Sequence, residues 1–213
     1  MLSSITPLGE RGRNARWPRT ITFYIVGSVL GGMVVGGLAG LVGYLVASAA
    51  AALGAPPMPL WVQLVIVCLA AAAGALLDTD RLRRRLPTIH RQVNEDWLDL
   101  YRPWVYGGGF GFQLGLGVVT IVTTAAVYLL LLIIVLIASW PAGLVLGGIF
   151  GLARALPVLA VREVNTPIRL TATFESLAAA EPRARRTAIA GQAVVAAAAG
   201  LYLTLYTVQT VAA

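Results

Sequence analysis

Formal charge in this chain is confined to three segments, and this confinement restricts the fold more than any other feature. The charged segments are residues 1–19, 78–102 and 154–186. The stretches 20–77, 103–153 and 187–213 are long and apolar and contain no Asp, Glu, Lys or Arg. An uncharged apolar run of about 18 residues can cross a hydrocarbon layer about 30 Å thick as a helix. The pattern therefore predicts an all-α, polytopic integral membrane helical bundle.

The composition supports the same prediction. Hydrophobic residues make up 58% of the chain and charged residues 12%, whereas soluble proteins carry about 25% charged residues. A net charge of +7 would suggest a nucleic-acid partner if the protein were soluble. Here the arginines flank the apolar runs, as expected at a membrane surface. We therefore expect the lipid bilayer as a partner, and no nucleic acid.

Turn residues and charges divide the apolar sequence into five predicted spans within one membrane domain. The domain consists of a basic N-terminus, two helix pairs that are each followed by a charged loop, and a last helix. In chain order these parts are residues 1–20, 21–77, 78–103, 104–161, 162–186 and 187–213.

The third predicted span is unusual in length. The uncharged run Trp104–Trp140 is too long for one upright helix, because a helix rises about 1.5 Å per residue. It is therefore either tilted or interrupted within the glycine-rich segment Tyr106–Gly111. A further break in one of the long segments, giving six spans, is the alternative.

The positive-inside rule orients the spans. It places the N-terminus and both charged loops in the cytoplasm and the C-terminus outside the bacterial plasma membrane. Cytoplasmic arginines, such as those within Arg81–Pro87, are expected to contact anionic lipid headgroups, and residues 89–101 are expected to form an amphipathic helix at the interface. The first apolar run is longer than the signal-peptide core of about 7–15 residues, which predicts that it is retained.

The two halves of the chain resemble each other at an offset of 84 residues. This offset aligns identical residues without a gap, and the aligned pairs are Gly27 with Gly111, Leu30 with Leu114, Gly31 with Gly115, Tyr44 with Tyr128, and Pro57 with Pro141. Chance similarity in glycine-rich apolar sequence is the alternative to duplication. Transporters are often built from such repeats, with a site at the repeat interface.

Small residues recur every four positions in two of the spans. Gly32, Gly36 and Gly40 do so in the first span, and Gly143, Gly147 and Gly151 do so in the fourth. Such stripes let helix backbones approach closely in membranes. Packing is the favoured interpretation, and a narrow pathway lined by residues such as Gly36 and Gly40 is the alternative.

The third span carries a polar face instead. Gln113, Gly117, Thr120 and Thr124 share one side of a helix at this spacing. Such residues either join helices by hydrogen bonds or line a path. Arg154 lies near the cytoplasmic end of the fourth span, where it either extends to the headgroups or binds an anion or an ion-pair partner such as Asp78 or Asp80.

No motif in the sequence predicts catalysis. P-loop, dinucleotide and nucleophile-elbow signatures are absent, and the single cysteine, Cys68, cannot form an intrachain disulfide. His90, Glu95, Asp96 and Asp99 lack a recognised metal-ligand spacing. We therefore expect no enzyme activity, no catalytic residue, no cofactor and no metal.

The glycine-rich opening of the third span, YGGGFGFQLGLGVVTIVTTAAVY, resembles the membrane module of the DsbD/CcdA thiol-electron carriers and their LysE-type exporter relatives. The resemblance implies two similar halves and movement of a small solute or sulfur compound. The sequence lacks the paired cysteines of the carriers, because the positions after Leu30 and Leu114 hold Gly, Met, Val and Thr.

Three functions follow as hypotheses. The first is a transporter or exporter for a small solute, with a path between the two glycine-rich helices. The alternative is a non-catalytic membrane subunit or scaffold that binds membrane or cytoplasmic proteins through its cytoplasmic loops. A thiol relay through Cys68 is the third.

Overall fold

The computed structural model describes residues 5–79, 100–117 and 124–212, with side chains as far as Val208. Within these ranges the chain forms helices and their connections, without strands, which confirms the all-α prediction. The α-helices are α1 (Pro7–Gly12), α2 (Trp17–Ala52), α3 (Leu60–Leu77), α4 (Pro103–Leu116), α5 (Ala126–Ile137), α6 (Trp140–Ala155) and α7 (Pro167–Ala212). A 3-10 helix, Leu156–Val161, continues α6.

Four of the described helices are long and apolar enough to cross a membrane. They are α2, α3, α6 with its 3-10 extension, and α7. The predicted third span differs from this pattern, because it consists of two shorter helices, α4 and α5. Its regular structure is continuous across Tyr106–Gly111, where an interruption was one of the two alternatives, and α4 ends at Leu116.

Local chemistry explains where α4 begins and ends. Pro103 occupies the first helical position, where its missing N–H is not needed and its fixed φ suits a helix. Gly117 follows the last turn with φ of 72°, a conformation that glycine adopts at little steric cost. Gln113 and Thr124 therefore do not lie on one face of a single continuous helix.

The chain divides into two compact units. Unit 1 contains residues 1–38, 88–121 and 141–181, and unit 2 contains residues 39–87, 122–140 and 182–213. α2 and α7 each contribute to both units.

In unit 1, α2 packs in parallel against α4 through glycine backbones. A Cβ added at Gly27 would overlap the carbonyl of Gly108, and one added at Gly111 would overlap the carbonyl of Tyr24. One turn further on, the same relation holds between Gly31 and Phe112, and between Gly115 and Ser28. The contacts are reciprocal at the 84-residue offset, since Gly108 corresponds to Tyr24 and Phe112 to Ser28.

A neighbouring face of α2 packs against α6 in the antiparallel direction. A Cβ on Gly32 would overlap the carbonyl of Gly147, and a Cβ on Gly36 would overlap that of Gly143. The Ser28 hydroxyl donates a 2.7 Å hydrogen bond to the carbonyl of Gly151 at the same interface. Both glycine stripes found in the sequence thus lie where helix backbones touch.

One end of unit 1 is closed by a hydrophobic cluster that includes the N-terminal segment. The buried members come from the segment before α1, from α2 and α4, from the end of α6, and from the chain between α6 and α7. They are Ile5, Ile21, Tyr24, Tyr106, Phe110, Ala155, Val158, Val161 and Val164. Residues 5–16, expected as part of a polar basic tail, are therefore a folded part of this unit.

In unit 2, the second half of α2 continues the same mode of packing. A Cβ on Gly40 would lie 2.5 Å from the carbonyl oxygen of Ser139, and one on Gly43 would overlap that of Val135. α3 packs against α5, and the two run antiparallel, because the end of α3 at Asp78 meets the start of α5 at Ala125.

The last helix is longer than the sequence suggested. α7 runs without interruption from Pro167 to Ala212 and contains Pro182, whereas residues 162–186 were expected as a charged loop before a last helix at 187–213. The Thr166 hydroxyl accepts a hydrogen bond from the amide of Arg169 at its first turn. Such N-capping, with proline at the first helical position, favours the observed start.

The glycine contacts predict that an added methyl group has different effects on stability at two helical glycines, Gly147 and Gly191. Gly147→Ala should destabilise the protein by about 1–3 kcal/mol, because the new Cβ would push α6 away from the α2 backbone. The measurement is the thermal unfolding midpoint of the purified protein in detergent.

Gly191→Ala in α7 is the matched control, because no heavy atom lies within 4 Å of the Cβ position at Gly191. It should leave the midpoint unchanged or raise it slightly, since alanine favours a helix over glycine by about 0.5–1 kcal/mol. An equal effect of the two substitutions would contradict backbone contact at Gly147.

Candidate functional site

A buried carboxylate, Glu10, organises the first polar cluster of unit 1. The Glu10 side chain is fully buried and accepts hydrogen bonds from the Thr20 hydroxyl at 2.6 Å and from the Tyr106 hydroxyl at 2.8 Å. Arg13 forms an ion pair with it at 3.0 Å. We call Glu10, Arg13, Thr20 and Tyr106 the Glu10 cluster. Burial of a carboxylate is favourable only with such bonds.

Arg13 supplies the positive charge of the Glu10 cluster. Burial lowers the pKa of Arg13, but hydrogen bonds to Glu10 and Tyr106 and the attraction of the carboxylate raise it, and the net direction is upward. The Arg13 guanidinium also lies 5.7 Å from the centre of the Tyr106 ring, within the range of a cation–π interaction.

The N-terminal segment is held in place by local and distant hydrogen bonds. The Thr6 hydroxyl caps α1 by accepting from the amide of Gly9 at 3.0 Å. The amide of Leu8 donates to the carbonyl of Val164 at 3.1 Å. Sequence reasoning missed this element, although Thr6 followed by proline is a helix-start signal that could have revealed it.

A second polar cluster lies in unit 2 around the buried carboxylate of Asp78. Asp78 accepts from the backbone amide of Ala125 at 2.8 Å, from the Thr124 hydroxyl at 2.5 Å, and from the side-chain amide of Gln192 at 2.7 Å. We call these four residues the Asp78 cluster. A carboxylate at the start of α5 is favoured by the positive end of the helix dipole.

Gln192 completes the Asp78 cluster from α7. Its side-chain nitrogen also lies 3.3 Å from the Thr124 hydroxyl oxygen. Its side-chain oxygen is buried and has no hydrogen-bond partner among the described residues. This oxygen lies over Gly74, where an added Cβ would lie 2.6 Å from it. The amide therefore joins α7 to the end of α3 and the start of α5.

Arg154 binds the end of α4 in unit 1. Its guanidinium donates to the carbonyl of Gly117 at 3.1 Å and lies 5.6 Å from the centre of the Phe150 ring. A cation at the carboxyl end of a helix is favoured by the helix dipole. Of the two acidic partners considered for Arg154 from the sequence, Asp78 belongs to the Asp78 cluster, and Asp80 lies outside the described residues.

The structure distributes the sequence-predicted site residues over several places. In unit 1, Gln113 is half-buried in α4, Gly117 ends α4 beside Arg154, and Gly36 contacts α6. In unit 2, Thr124 belongs to the Asp78 cluster and Gly40 contacts the chain at Ser139. Thr120 lies outside the described residues, as do His90, Glu95, Asp96 and Asp99.

Within the described residues, no group of three His, Cys, Asp or Glu side chains could hold a metal ion. Cys68 is half-buried in α3 and forms no disulfide. The described polar groups join helices by hydrogen bonds near helix ends. Glu10 joins α1 to α2 and α4, Asp78 joins α3 to α5 and α7, and Arg154 joins α6 to α4.

Fold and polar clusters together define a class: an all-helical protein with apolar helices of membrane-spanning length, whose buried charges join helix ends. Among curated proteins, the chain is similar to the methylamine utilization protein MauF of Paracoccus versutus, with 33% identity over 167 residues that cover 73% of this chain and 56% of MauF. MauF of Methylophilus methylotrophus is 28% identical over 159 residues, which cover 74% of this chain and 53% of that protein. The chain thus spans about half the length of the curated relatives it matches.

MauF of Paracoccus denitrificans is also similar, at 28% identity over 160 residues. No family model matches the chain, and no solved structure matches it. These relatives are methylamine utilization proteins, so the suggested relationship to the DsbD/CcdA carriers and LysE-type exporters is wrong. That resemblance depended on glycines, which close helix packing requires in any family.

The Glu10 cluster generates a second prediction. Glu10→Ala should destabilise the protein by about 2–4 kcal/mol, because the substitution leaves two buried hydroxyls and the Arg13 guanidinium without their acceptor. Glu175→Ala, at an exposed position of α7, should change stability by less than about 0.5 kcal/mol. Thermal unfolding in detergent measures both, and indistinguishable midpoints would contradict the structural role of Glu10.

The Asp78 cluster generates a third prediction, which separates loss of charge from loss of an acceptor. Asp78→Ala should destabilise by about 2–3 kcal/mol, because the Ala125 amide and the Gln192 side chain lose their acceptor. Asp78→Asn should cost at least about 1 kcal/mol less, since the asparagine oxygen still accepts from the Ala125 amide. Equal unfolding midpoints for the two variants would contradict this assignment.

Proposed function

We propose that this chain is an accessory membrane protein that has no catalytic site of its own and works with other proteins in methylamine utilization. The observation that carries the proposal is the similarity to MauF of Paracoccus versutus over 73% of the chain. It favours the non-catalytic subunit that the sequence raised as an alternative, and it gives no support to transport.

The geometry of two buried carboxylates and one half-buried arginine supports an accessory role. Glu10 and Asp78 each accept three donors from the protein, and Arg154 donates to the backbone at Gly117. Groups bound in this way stabilise the positions of helices. A protein whose charged interior groups are used for its own architecture is suited to present a fixed surface to a partner.

The membrane placement rests on length, apolarity and exposed side chains. Large apolar residues are exposed along α2, α6 and α7, including Leu38, Leu45, Ile149, Val194 and Leu205. Exposure of such residues to lipid is favourable, whereas exposure to water is costly. The cytoplasmic N-terminus belongs to this proposal and rests on the positive-inside distribution of arginine. The count of five spans also belongs to it and treats α4 and α5 together as one crossing.

The internal duplication also belongs to the proposal, and the reciprocal packing of α2 and α4 supports it. Gly27 contacts Gly108, and Gly111 contacts Tyr24. At the 84-residue offset Gly27 corresponds to Gly111 and Tyr24 corresponds to Gly108, so the two contacts are equivalent. Chance similarity between two glycine-rich segments would not by itself place α2 and α4 in equivalent contacts at this offset. A duplicated pair of helices related by a local two-fold axis would produce it.

Partner binding is best placed on the polar first half of α7. Residues 167–186 carry four arginines and two glutamates and are mostly exposed. Polar helices of this kind can bind a protein through charge complementarity, which determines specificity and association rate.

The test is growth and metabolism after deletion of the encoding gene in the organism's own genome. The deletion strain should fail to respire on methylamine and yet accumulate labelled methylamine at the normal rate. Expression of the full chain should restore respiration, and so should Gln113→Leu, because Gln113 lines no path in this proposal.

Two results would contradict the proposal. A parallel loss of methylamine uptake and respiration, restored by the wild-type chain and not by Gln113→Leu, would favour transport. Normal respiration on methylamine in the deletion strain would remove the link to methylamine utilization.

A further inference from the structure

An open cleft of about 750 Å³ lies at the N-terminal end of α2 in unit 1. Its walls come from α1, from the start of α2 and from the connection that precedes α7. The lining residues are Pro7, Arg11, Ala15, Arg16, Trp17, Pro18, Arg19, Arg162 and Asn165. The polar clusters described above do not include any of them.

The cleft is strongly basic. Four of its lining residues are arginines and none is acidic. Arg11, Arg16 and Arg19 are exposed and form no ion pair with another described residue. Arg162 forms an ion pair with its neighbour Glu163 at 3.2 Å, but both side chains are exposed. The attraction within such exposed pairs is weak.

The position of two arginines at a helix start adds to this excess of positive charge. Arg16 directly precedes α2 and Arg19 lies in its first turn, which contains no acidic residue. The N-terminus of a helix carries positive partial charge and favours anions over cations. An anion bound in the cleft would therefore reduce the repulsion among these groups.

The lining residues and the position of the cleft along α2 indicate which anion fits. The planar guanidinium group donates paired hydrogen bonds that match phosphate oxygens. Trp17 forms part of the wall, and tryptophan is enriched at the level of lipid headgroups. The uncharged part of α2 begins directly after Arg19, so the cleft lies where a membrane-crossing α2 would leave the hydrocarbon.

We propose that this cleft binds the phosphate headgroup of an anionic phospholipid and so anchors the N-terminal segment at the membrane surface. The inference rests on the membrane placement proposed above. It is independent of the role in methylamine utilization.

The experiment titrates the purified full chain, in zwitterionic detergent, with short-chain phosphatidylglycerol and with phosphatidylcholine as the uncharged reference. The cleft variant is the triple substitution Arg11→Gln, Arg16→Gln and Arg19→Gln. Its affinity for phosphatidylglycerol should fall by at least about tenfold, since each arginine near a membrane surface contributes appreciably to anionic lipid binding. Binding of phosphatidylcholine should not change.

The matched control removes the same charge from another arginine cluster, in which Arg183 and Arg186 are exposed. It is Arg183→Gln, Arg185→Gln and Arg186→Gln in α7, which should weaken phosphatidylglycerol binding by less than about threefold. Single substitutions Arg16→Gln and Arg19→Gln, each with a smaller loss in the same direction, replace the triple variant if it does not fold.

Three results would overturn the inference. Equal losses in the cleft variant and the control would show a general effect of surface charge. Full displacement of the lipid by an equimolar amount of glycerol phosphate would identify a soluble phosphate as the ligand. Unchanged lipid binding by the cleft variant, with loss of a co-purifying protein, would assign the cleft to an acidic protein segment.

A vesicle flotation assay separates failure of this inference from failure of the membrane placement. A wild-type chain that does not float with phosphatidylglycerol vesicles and is extracted by alkaline carbonate would contradict membrane insertion itself. A chain that floats and resists extraction, yet binds both lipids equally, would overturn only the assignment of the cleft.

Discussion

Contact between helix backbones at glycine is the interaction on which the described structure depends. α2 uses two adjacent faces for it, with Gly27 and Gly31 against α4, and Gly32 and Gly36 against α6. In lipid, apolar side chains gain little by leaving their surroundings, so helix association relies on close packing and polar contacts. A methyl group at these positions would meet a backbone carbonyl, which cannot move aside as a side-chain end can. The spacing of glycine along α2 therefore determines which helices can lie beside it.

Charged groups that are buried or half-buried act on this packed framework at the ends of helices. Asp78 accepts from the amide of Ala125, the residue that directly precedes α5, and Arg154 donates to the carbonyl of Gly117, which follows α4. Both arrangements place a charge at the end of a helix dipole that favours it. Glu10 performs a similar task for α1 by accepting donors from α2 and α4. The accessory role proposed above rests in part on these uses of charge.

Much of the fold could be predicted from periodic features of the sequence. The charge-free runs predicted apolar helices, and the glycine stripes at Gly36 and Gly147 predicted close packing. Features that depend on one distant contact could not be found this way. Glu10 reads as one more charge in a basic tail, because its partner Tyr106 lies 96 residues away. The interruption at Gly117 was also missed, since the same spacing of Gln113 and Thr124 would fit a continuous helix.

The most direct test of the account is a distance between two glycines in a bilayer. Full-length protein with ¹³C-labelled glycine, reconstituted in phospholipid, can be examined by solid-state NMR. Backbone packing at glycine predicts a Cα–Cα cross-peak between Gly36 of α2 and Gly147 of α6, because a Cβ on Gly36 would lie only 2.8 Å from the Cα of Gly147. Absence of this cross-peak, in spectra that show the expected neighbouring-turn peaks within α2, would contradict backbone packing in the membrane.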